Sequence, residues 1–539
     1  MELRIGTAKK EMTCFIPGVG MMGYGQPHNT VSEIATPLYA RCLFLEQGLE
    51  KFILVHLEQC FVTMAIKEEV LSILSKRFPD WKITHNNLAI TAQHTHSAPG
   101  GYSHYPFYNF TIPGFQTRVF KTVIEAIIDG ISEASRDLKI ATSHWGKISI
   151  PVDKEVAFNR SIKAYANNPE VTIDAFDETH LAVDRTMEGL CFKNSEGHTI
   201  AFLNWFGVHC TSISSFNHRI HHDNKGVAAS LFEKENPKAL AFFLQSAAGD
   251  VSPNFIWDKK LKRMRGKFAD QYESAEYNGE IQFREAQKII PDNQLIGQIE
   301  SHHIFLDMAQ EVSTPAHGVA FFQGTLEGPG VNGALAFILK TTSRLIKKYQ
   351  LLNHPEQNKK FYEEQGNKDI ILDHRNGSFL GIPLNTWKFF PRLPEPSVEA
   401  FRKTAKDGAL KTLPWVPSIL PFQVFKIGDV LIAFLPGEIT TVAGERLRKH
   451  LLQELAPNGI NHVFLTSYSN AYMGYIVTPE EYDLQCYEGG HTVYGRNTLS
   501  GIFTGFNYLI SLMKGHKTNL LLPQESFHFP ADELARRTI

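Results

Sequence analysis

Six cysteines in 539 residues, with no C-x-x-C pair and no dense cluster, are too few and too scattered for a disulfide framework. Cys14, Cys42, Cys60, Cys191, Cys210 and Cys486 read instead as buried thiols. No window holds eighteen uninterrupted apolar residues, so no membrane-spanning helix is expected. The opening stretch MELRIGTAKKEMTCFIPG lacks the apolar core of a secretory leader, which points to a cytoplasmic protein, or to a secreted one if a leader has been removed. Charge of one sign is also lacking: a formal net charge of -2 gives no global field for nucleic acid. Neither a solenoid-length repeat nor a low-complexity linker divides the chain.

What is present fits a soluble globular chain, with 43% hydrophobic and 20% charged residues and enough length for a large core. Apolar runs at 38–47 and 51–60, separated by Gly48, predict two adjacent strands. Helical spacing follows at 66–78, then a buried strand at 87–92, then a helix at about 115–136 whose face is Val119, Val123, Ile124, Ile127, Ile128 and Ile131. Strand patterns resume at 419–435. This alternation predicts an α/β fold of layered mixed β-sheets flanked by helices. Two stretches read as excursions from one large domain spanning 1–539: the polar segment 255–300, with its basic cluster Lys259, Lys260, Lys262, Arg263, Arg265 and Lys267, and the Asn-, Lys-, Glu- and Pro-rich segment 345–415.

Five short stretches carry candidate chemistry, and each has an ordinary structural reading beside it. ITAQHTHSAPGGY places His94 and His96 in H-x-H spacing, which on an extended chain puts both imidazoles on one face, as metal ligands or as solvated or core histidines. His209, in AFLNWFGVHCTS, ends an apolar run and is either a ligand or a hydrogen-bonded core residue. QSAAGDVSPN places Ser252 in a turn, where a serine before proline commonly satisfies backbone groups. Glu438, in LPGEITTVAGERLR, suits a helix N-terminus. NAYMGYIVTPEEYDLQCYEGG carries four tyrosines, which pack more often than they ligate.

Taken together and in order, these blocks resemble the neutral/alkaline non-lysosomal ceramidase family, zinc-dependent amidases that cleave the N-acyl bond of ceramide. The likeness runs through MMGYG, HTHSAPGG, FNRSIKAYANNP, NWFGVHCTS, HHDNKG, QSAAGDVSPN, GTLEGPG, PSILPFQVFKIG, PGEITTVAGERLR and YIVTPEEYDLQCYEGGHTVYG, nearly the whole chain. The resemblance implies a Zn²⁺ site of His94, His209, Glu438 and Tyr475. It implies His96, Arg160 and Tyr487 as further active-site residues and matches Ser252 to the serine assigned as the family's nucleophile.

The chemistry implied is consistent with those residue types, since imidazole nitrogens and hard oxygens suit zinc and amide hydrolysis needs carbonyl polarisation and an activated nucleophile. Attack by water and attack by Ser252 both remain open at this point. Larger family members carry a leader and a C-terminal immunoglobulin-like β-sandwich, and too few residues follow the YEGG motif here for that module. The expected activity is ceramide hydrolysis to a sphingoid base and a fatty acid, the alternative being another N-acyl amide or ester on the same site. The expected partner is a small-molecule lipid, with peripheral membrane contact possible and no nucleic acid. The two excursions are candidate pocket walls or lids.

Overall fold

A computed structural model describes residues 2–538 apart from 113, 173–177, 390–391, 393–395, 407, 409, 411 and 517–521. Two large sheets dominate it. The first has nine strands in the order Leu240–Leu244, Thr199–Trp205, Thr186–Asn194, Lys139–Ser149, Leu3–Glu11, Tyr39–Gln47, Glu50–Leu57 and Leu88–Ala92, with Asn293–Leu295 pairing on Lys139–Ser149. The second has four, in the order Ile299–Asp307, Ile419–Ile427, Val430–Phe434 and His462–Thr466.

The inner faces of the two sheets pack on each other. Phe52 stacks on Phe425 at 3.9 Å between ring centroids and Trp205 on Phe464 at 4.3 Å, within a shared core that includes Leu54, Leu203, Phe242, Ile432 and Phe434. Helices close the outer faces. Thr117–Ala134 lies over the first sheet, burying the predicted stripe Val119, Val123, Ile124, Ile127, Ile128 and Ile131, each worth roughly 1.5–3 kcal/mol. Asp223–Glu235 and Gln271–Ala286 cover the other half of that sheet, and Thr441–Leu455 and Thr498–Met513 cover the second. The result is a helix–sheet–sheet–helix stack, which agrees with the layered α/β expectation.

Burial on both faces explains why the central strands read as continuous apolar runs instead of alternating. Leu88–Ala92 is buried at all five positions and runs parallel to Glu50–Leu57. Val430–Phe434 and His462–Thr466 form a second parallel pair, and Thr199–Trp205 and Leu240–Leu244 a third. Parallel strands need crossovers, so their C-terminal ends lead into loops at one end of the stack.

Residues 255–300 hold a short hairpin, Ile256–Asp258 with Arg263–Arg265, the helix Gln271–Ala286, and the start of a strand in the second sheet. The polar composition of this stretch belongs to a helix that buries one face against its neighbour Asp223–Glu235 and exposes the other. Within 345–415, Ile371, Leu372, Phe379, Trp387 and Trp415 join the main core, and a four-stranded sheet links Ala316–Gly318 to Ile370–Asp373, Ser378–Phe379 and Ile382–Pro383. Among the described residues no helix is long and apolar enough to cross a membrane.

Candidate active site

The loops at the C-terminal ends of the parallel strands converge. Leu88–Ala92 leads to His94, Thr199–Trp205 to His209, Val430–Phe434 to Glu438, and His462–Thr466 to Tyr468, Tyr472 and Tyr475. The histidine pair does not meet by strand alternation, as an extended chain would require. The strand ends at Ala92, and His94 itself adopts a left-handed conformation with φ of 80°. The turn is fixed by the His94 amide donating to Gln59 O and brings the His94 and His96 Nε2 atoms to 3.0 Å. Non-glycine residues at positive φ are uncommon and cluster at functional sites.

Each proposed imidazole ligand is held through its other nitrogen. His94 Nδ1 lies 2.7 Å from Cys60 O, and His209 Nδ1 lies 3.0 Å from Val251 O. Donating Nδ1–H to a carbonyl leaves Nε2 as the lone-pair atom, the tautomer a metal requires. The two Nε2 atoms then face one carboxylate: His94 Nε2 is 3.6 Å from Glu438 Oε1 and His209 Nε2 is 3.1 Å from Glu438 Oε2. Tyr475 Oη is 3.5 Å from His209 Nε2.

Glu438 precedes the helix Thr441–Leu455 and does not sit in its first turn. It occupies a two-residue parallel ladder in which Glu438 pairs with Tyr475 and Ile439 with Ile476. Its carboxylate is oriented by two phenols, Tyr472 donating to Oε1 and Tyr468 to Oε2, the latter at 3.1 Å. Burial works to raise the Glu438 carboxyl, yet His94, His209 and Tyr472 hold it well below the ordinary carboxylate range. Burial pushes His94 down to about 3. Neutral imidazole and ionised carboxylate are the protonation states that bind metal.

These donors fit a metal ion. His94, His209 and Glu438 are fully buried, and their ligand atoms lie within 4.8 Å of one another. Cys60, His94 and His96 form a second such group, but His94 Nδ1 is already committed to Cys60 O and its Nε2 faces Glu438. Burial raises the Tyr475 hydroxyl well above its usual value while Arg160 opposes that; a bound cation would favour the phenolate.

Arg160 frames the opposite wall. Its Nε donates to Glu488 at 2.9 Å, Nη2 donates to Gly249 O and Tyr475 Oη at 2.8 Å each, and Nη1 lies 3.7 Å from Glu327. Tyr487 opens the short helix Tyr487–Gly490, with its ring 5.5 Å from that of Tyr475. His96 packs edge-on to Tyr24 at 4.6 Å, and its Nδ1 is buried without a hydrogen-bond partner among the described residues.

Ser252 is bound into a turn. It is fully buried, pairs with Phe158 in a two-residue ladder, and its hydroxyl accepts from Asn254 N at 2.9 Å. No imidazole or carboxylate contacts its hydroxyl among the described residues, whereas the adjacent Val251 carbonyl orients His209.

Two cavities meet at the cluster. One, of about 90 Å³, is the more polar, lined by His96, Arg160, Tyr475, Tyr487, Tyr24, Thr211 and Glu327 beside the rings of Phe110, Phe321 and Phe322. The second, of about 60 Å³, touches His94, Glu438, Tyr475 and His491 and continues between Met21, Met22, Phe61, Phe107, Tyr108 and Phe110. The stretch from Phe321 to Gly330, before the segment 345–415, walls the first cavity, and Phe321 also borders the second. Tyr468, Tyr472, Glu488, Glu327 and His491 are additions to the sequence reading. Glu327 and Glu488 lie in the quoted GTLEGPG and YEGG blocks, but nothing in the chain's linear order pairs them with Arg160.

Comparison with known proteins agrees with this architecture. The model of the family described as neutral/alkaline non-lysosomal ceramidase, N-terminal, matches residues 3–380 and 403–504. The chain is 29% identical to a neutral ceramidase of Pseudomonas aeruginosa, over 92% of this chain and 70% of that protein. It is 28% identical to neutral ceramidase A of Dictyostelium discoideum, over 96% and 73%. A solved structure described as a ceramidase complexed with C2 superimposes with a TM-score of 0.78 at 27% identity, covering 98% of this chain and 79% of that one. The crystal structure of the Pseudomonas aeruginosa neutral ceramidase gives 0.74 at 26% identity, covering 98% and 78%. A family match over most of its length, on a fold shared almost end to end, means that this chain belongs to the neutral/alkaline non-lysosomal ceramidase family.

Proposed function

We propose that the chain is one catalytic domain, a zinc-dependent amidohydrolase that cleaves the N-acyl bond of ceramide to a sphingoid base and a fatty acid. The observation that carries this reading is the convergence of His94 Nε2, His209 Nε2 and both Glu438 oxygens, with Tyr475 Oη beside them, at the meeting of a polar and an apolar cavity. His94, His209, Glu438 and Tyr475 would hold the ion. When bound, zinc supplies a Lewis acid for the amide carbonyl and lowers the pKa of a coordinated water to about 7.

The chain's own residues then divide the remaining work. The apolar cavity between Met21, Phe61 and Phe107 takes the start of the acyl chain, and the polar cavity takes the amine side. Both volumes are small, so the tails leave through the mouth. Tyr487 and Arg160 line the polar cavity, where their donors stabilise the oxyanion that develops as the carbonyl is attacked. His96 lines both cavities, where its imidazole is placed to accept a proton from water and return it to the departing amine. Attack by water is preferred over attack by Ser252, whose hydroxyl is committed to the Asn254 turn.

The test compares the purified protein with His94→Ala and Glu438→Gln, measuring metal by elemental analysis and fatty-acid release from ceramide. Stoichiometric zinc, with zinc and turnover falling together by more than about 100-fold, supports the reading; outer partners cost only roughly 10–100-fold. Zinc binding with turnover of other N-acyl amides or esters and none of ceramide would move the substrate to the alternative class. Absence of bound metal under metal-replete conditions would overturn the ligand set.

A further inference from the structure

The basic cluster at 259–267 plays no part in the chemistry above. It forms the hairpin Ile256–Asp258 and Arg263–Arg265, whose tip exposes Lys259, Lys260 and Lys262. The hairpin is tied to the outer wall of the catalytic cavity by Met264 N donating to Leu326 O at 2.8 Å. Beneath it lies a third cavity, of about 280 Å³, larger than the other two. Tyr24, Thr211 and Glu327 line both this cavity and the polar catalytic one, so the two are neighbours across a single wall.

Arg263 lines that third cavity and makes no ion pair among the described residues. Its Nε and Nη1 are buried and lack hydrogen-bond partners, and its guanidinium lies 4.9 Å from the centroid of the Phe216 ring. The nearby acids face other groups. Asp258 accepts from Lys260 N and Leu261 N and faces Arg265 Nε at 3.4 Å. Asp270 caps the helix Gln271–Ala286. Glu327 Oε2 accepts from Asn254 and Thr211, and its Oε1, without a hydrogen-bond partner among the described residues, lies 3.7 Å from Arg160 Nη1. Two buried guanidinium nitrogens without an acceptor on a half-buried arginine are completed best by an anion, and the planar fork matches phosphate, sulfonate or carboxylate oxygens.

We propose that this cavity is a head-group subsite and that the preferred substrates are N-acyl amines bearing an anionic group on the amine side of the scissile bond. The inference rests on the amidase reading, because it places the anionic group next to the cavity assigned to the departing amine. Arg263 binds the anion, the exposed lysines of the tip draw it in, and hydrolysis leaves the anionic group on the amine product.

The experiment measures fatty-acid release from ceramide and from ceramide 1-phosphate in neutral detergent micelles, for the wild type, Arg263→Gln and Arg263→Lys. The wild type is expected to favour the phosphorylated substrate. The ratio of kcat/KM, phosphorylated over neutral, should fall about tenfold or more in Arg263→Gln and stay within about threefold of wild type in Arg263→Lys. An unchanged ratio in Arg263→Gln overturns the proposal. Neutral ceramide is also presented in phosphatidylglycerol and in phosphatidylcholine vesicles. Dependence on Arg263 that follows the charge of the vesicle, not that of the substrate, assigns the site to membrane head groups and likewise overturns it. If the wild type hydrolyses neither substrate, the amidase reading fails by itself, and calorimetry with sphingosine 1-phosphate and sphingosine decides the subsite. Selective, Arg263-dependent binding of the phosphate supports it, and equal binding refutes it.

Discussion

Glu438 and Tyr475 are direct partners in a parallel ladder only two residues long, although 37 positions separate them in the chain. In-register neighbours project to the same side of a sheet, so the ladder presents a carboxylate and a phenol to the His209 imidazole together. Tyr472, three residues before Tyr475, donates to Glu438 Oε1 from the same loop. Tyr472→Phe should therefore weaken metal binding by roughly tenfold while leaving thermal stability of the metal-free protein nearly unchanged. Competition with a chelator of known affinity measures the first effect, and calorimetry the second.

Ser252→Ala removes a hydroxyl whose hydrogen bonds go to Asn254. Losing a turn bond costs about 1 kcal/mol of stability, and kcat should remain within about tenfold of wild type. Mass spectrometry of enzyme quenched during turnover provides the decisive check. An acyl adduct on Ser252 would establish the serine route in place of water attack.

Gly23 has a φ of 128°, and a Cβ added there would lie 2.4 Å from His96 Cγ. Gly23→Ala must displace the His96 ring, so it should lower kcat by about 100-fold, the usual worth of a positioned acid–base group, and leave bound zinc nearly stoichiometric. Loss of zinc in parallel with activity would show that the displacement reaches His94.

Burial and the neighbouring Asp250 push Glu481 up to about 8, against hydrogen bonds from Thr440, Thr478 and Asn168. The unfolded chain ionises this carboxyl near its ordinary value, so between about pH 4.5 and 8 the folded state binds the extra proton and stability falls as pH rises. Glu481→Gln should flatten that slope. Melting temperatures of both proteins across pH 5–8 provide the test, and an unchanged slope would assign the proton to another group.

Much of the fold was legible in the chain. The helix stripe from Val119 to Ile131 and the run LAITA follow from burial, which imposes a 3.6-residue period on a one-sided helix and removes alternation from a two-sided strand. The segment 255–300 was harder to place. The helix Gln271–Ala286 exposes most of its polar face, and its polar composition resembles that of an excursion although the helix covers the first sheet.

By itself the sequence determined the chemistry available: which histidines, carboxylates and phenols exist, that each stands near the end of an apolar run, and that ordered blocks belong to one family. Only the tertiary structure decided which of them meet. Three parallel strand pairs bring loops from distant parts of the chain to one end of the stack, and a left-handed turn at His94, not strand alternation, sets the histidine pair edge to face. The same folding bound the Ser252 hydroxyl into the Asn254 turn, next to the Val251 carbonyl that orients His209, and left Arg263 without an ion pair among the described residues beside the catalytic cavity. Hydrogen-bond geometry and ion pairing act over about 3 Å, a distance that linear order fixes only for near neighbours.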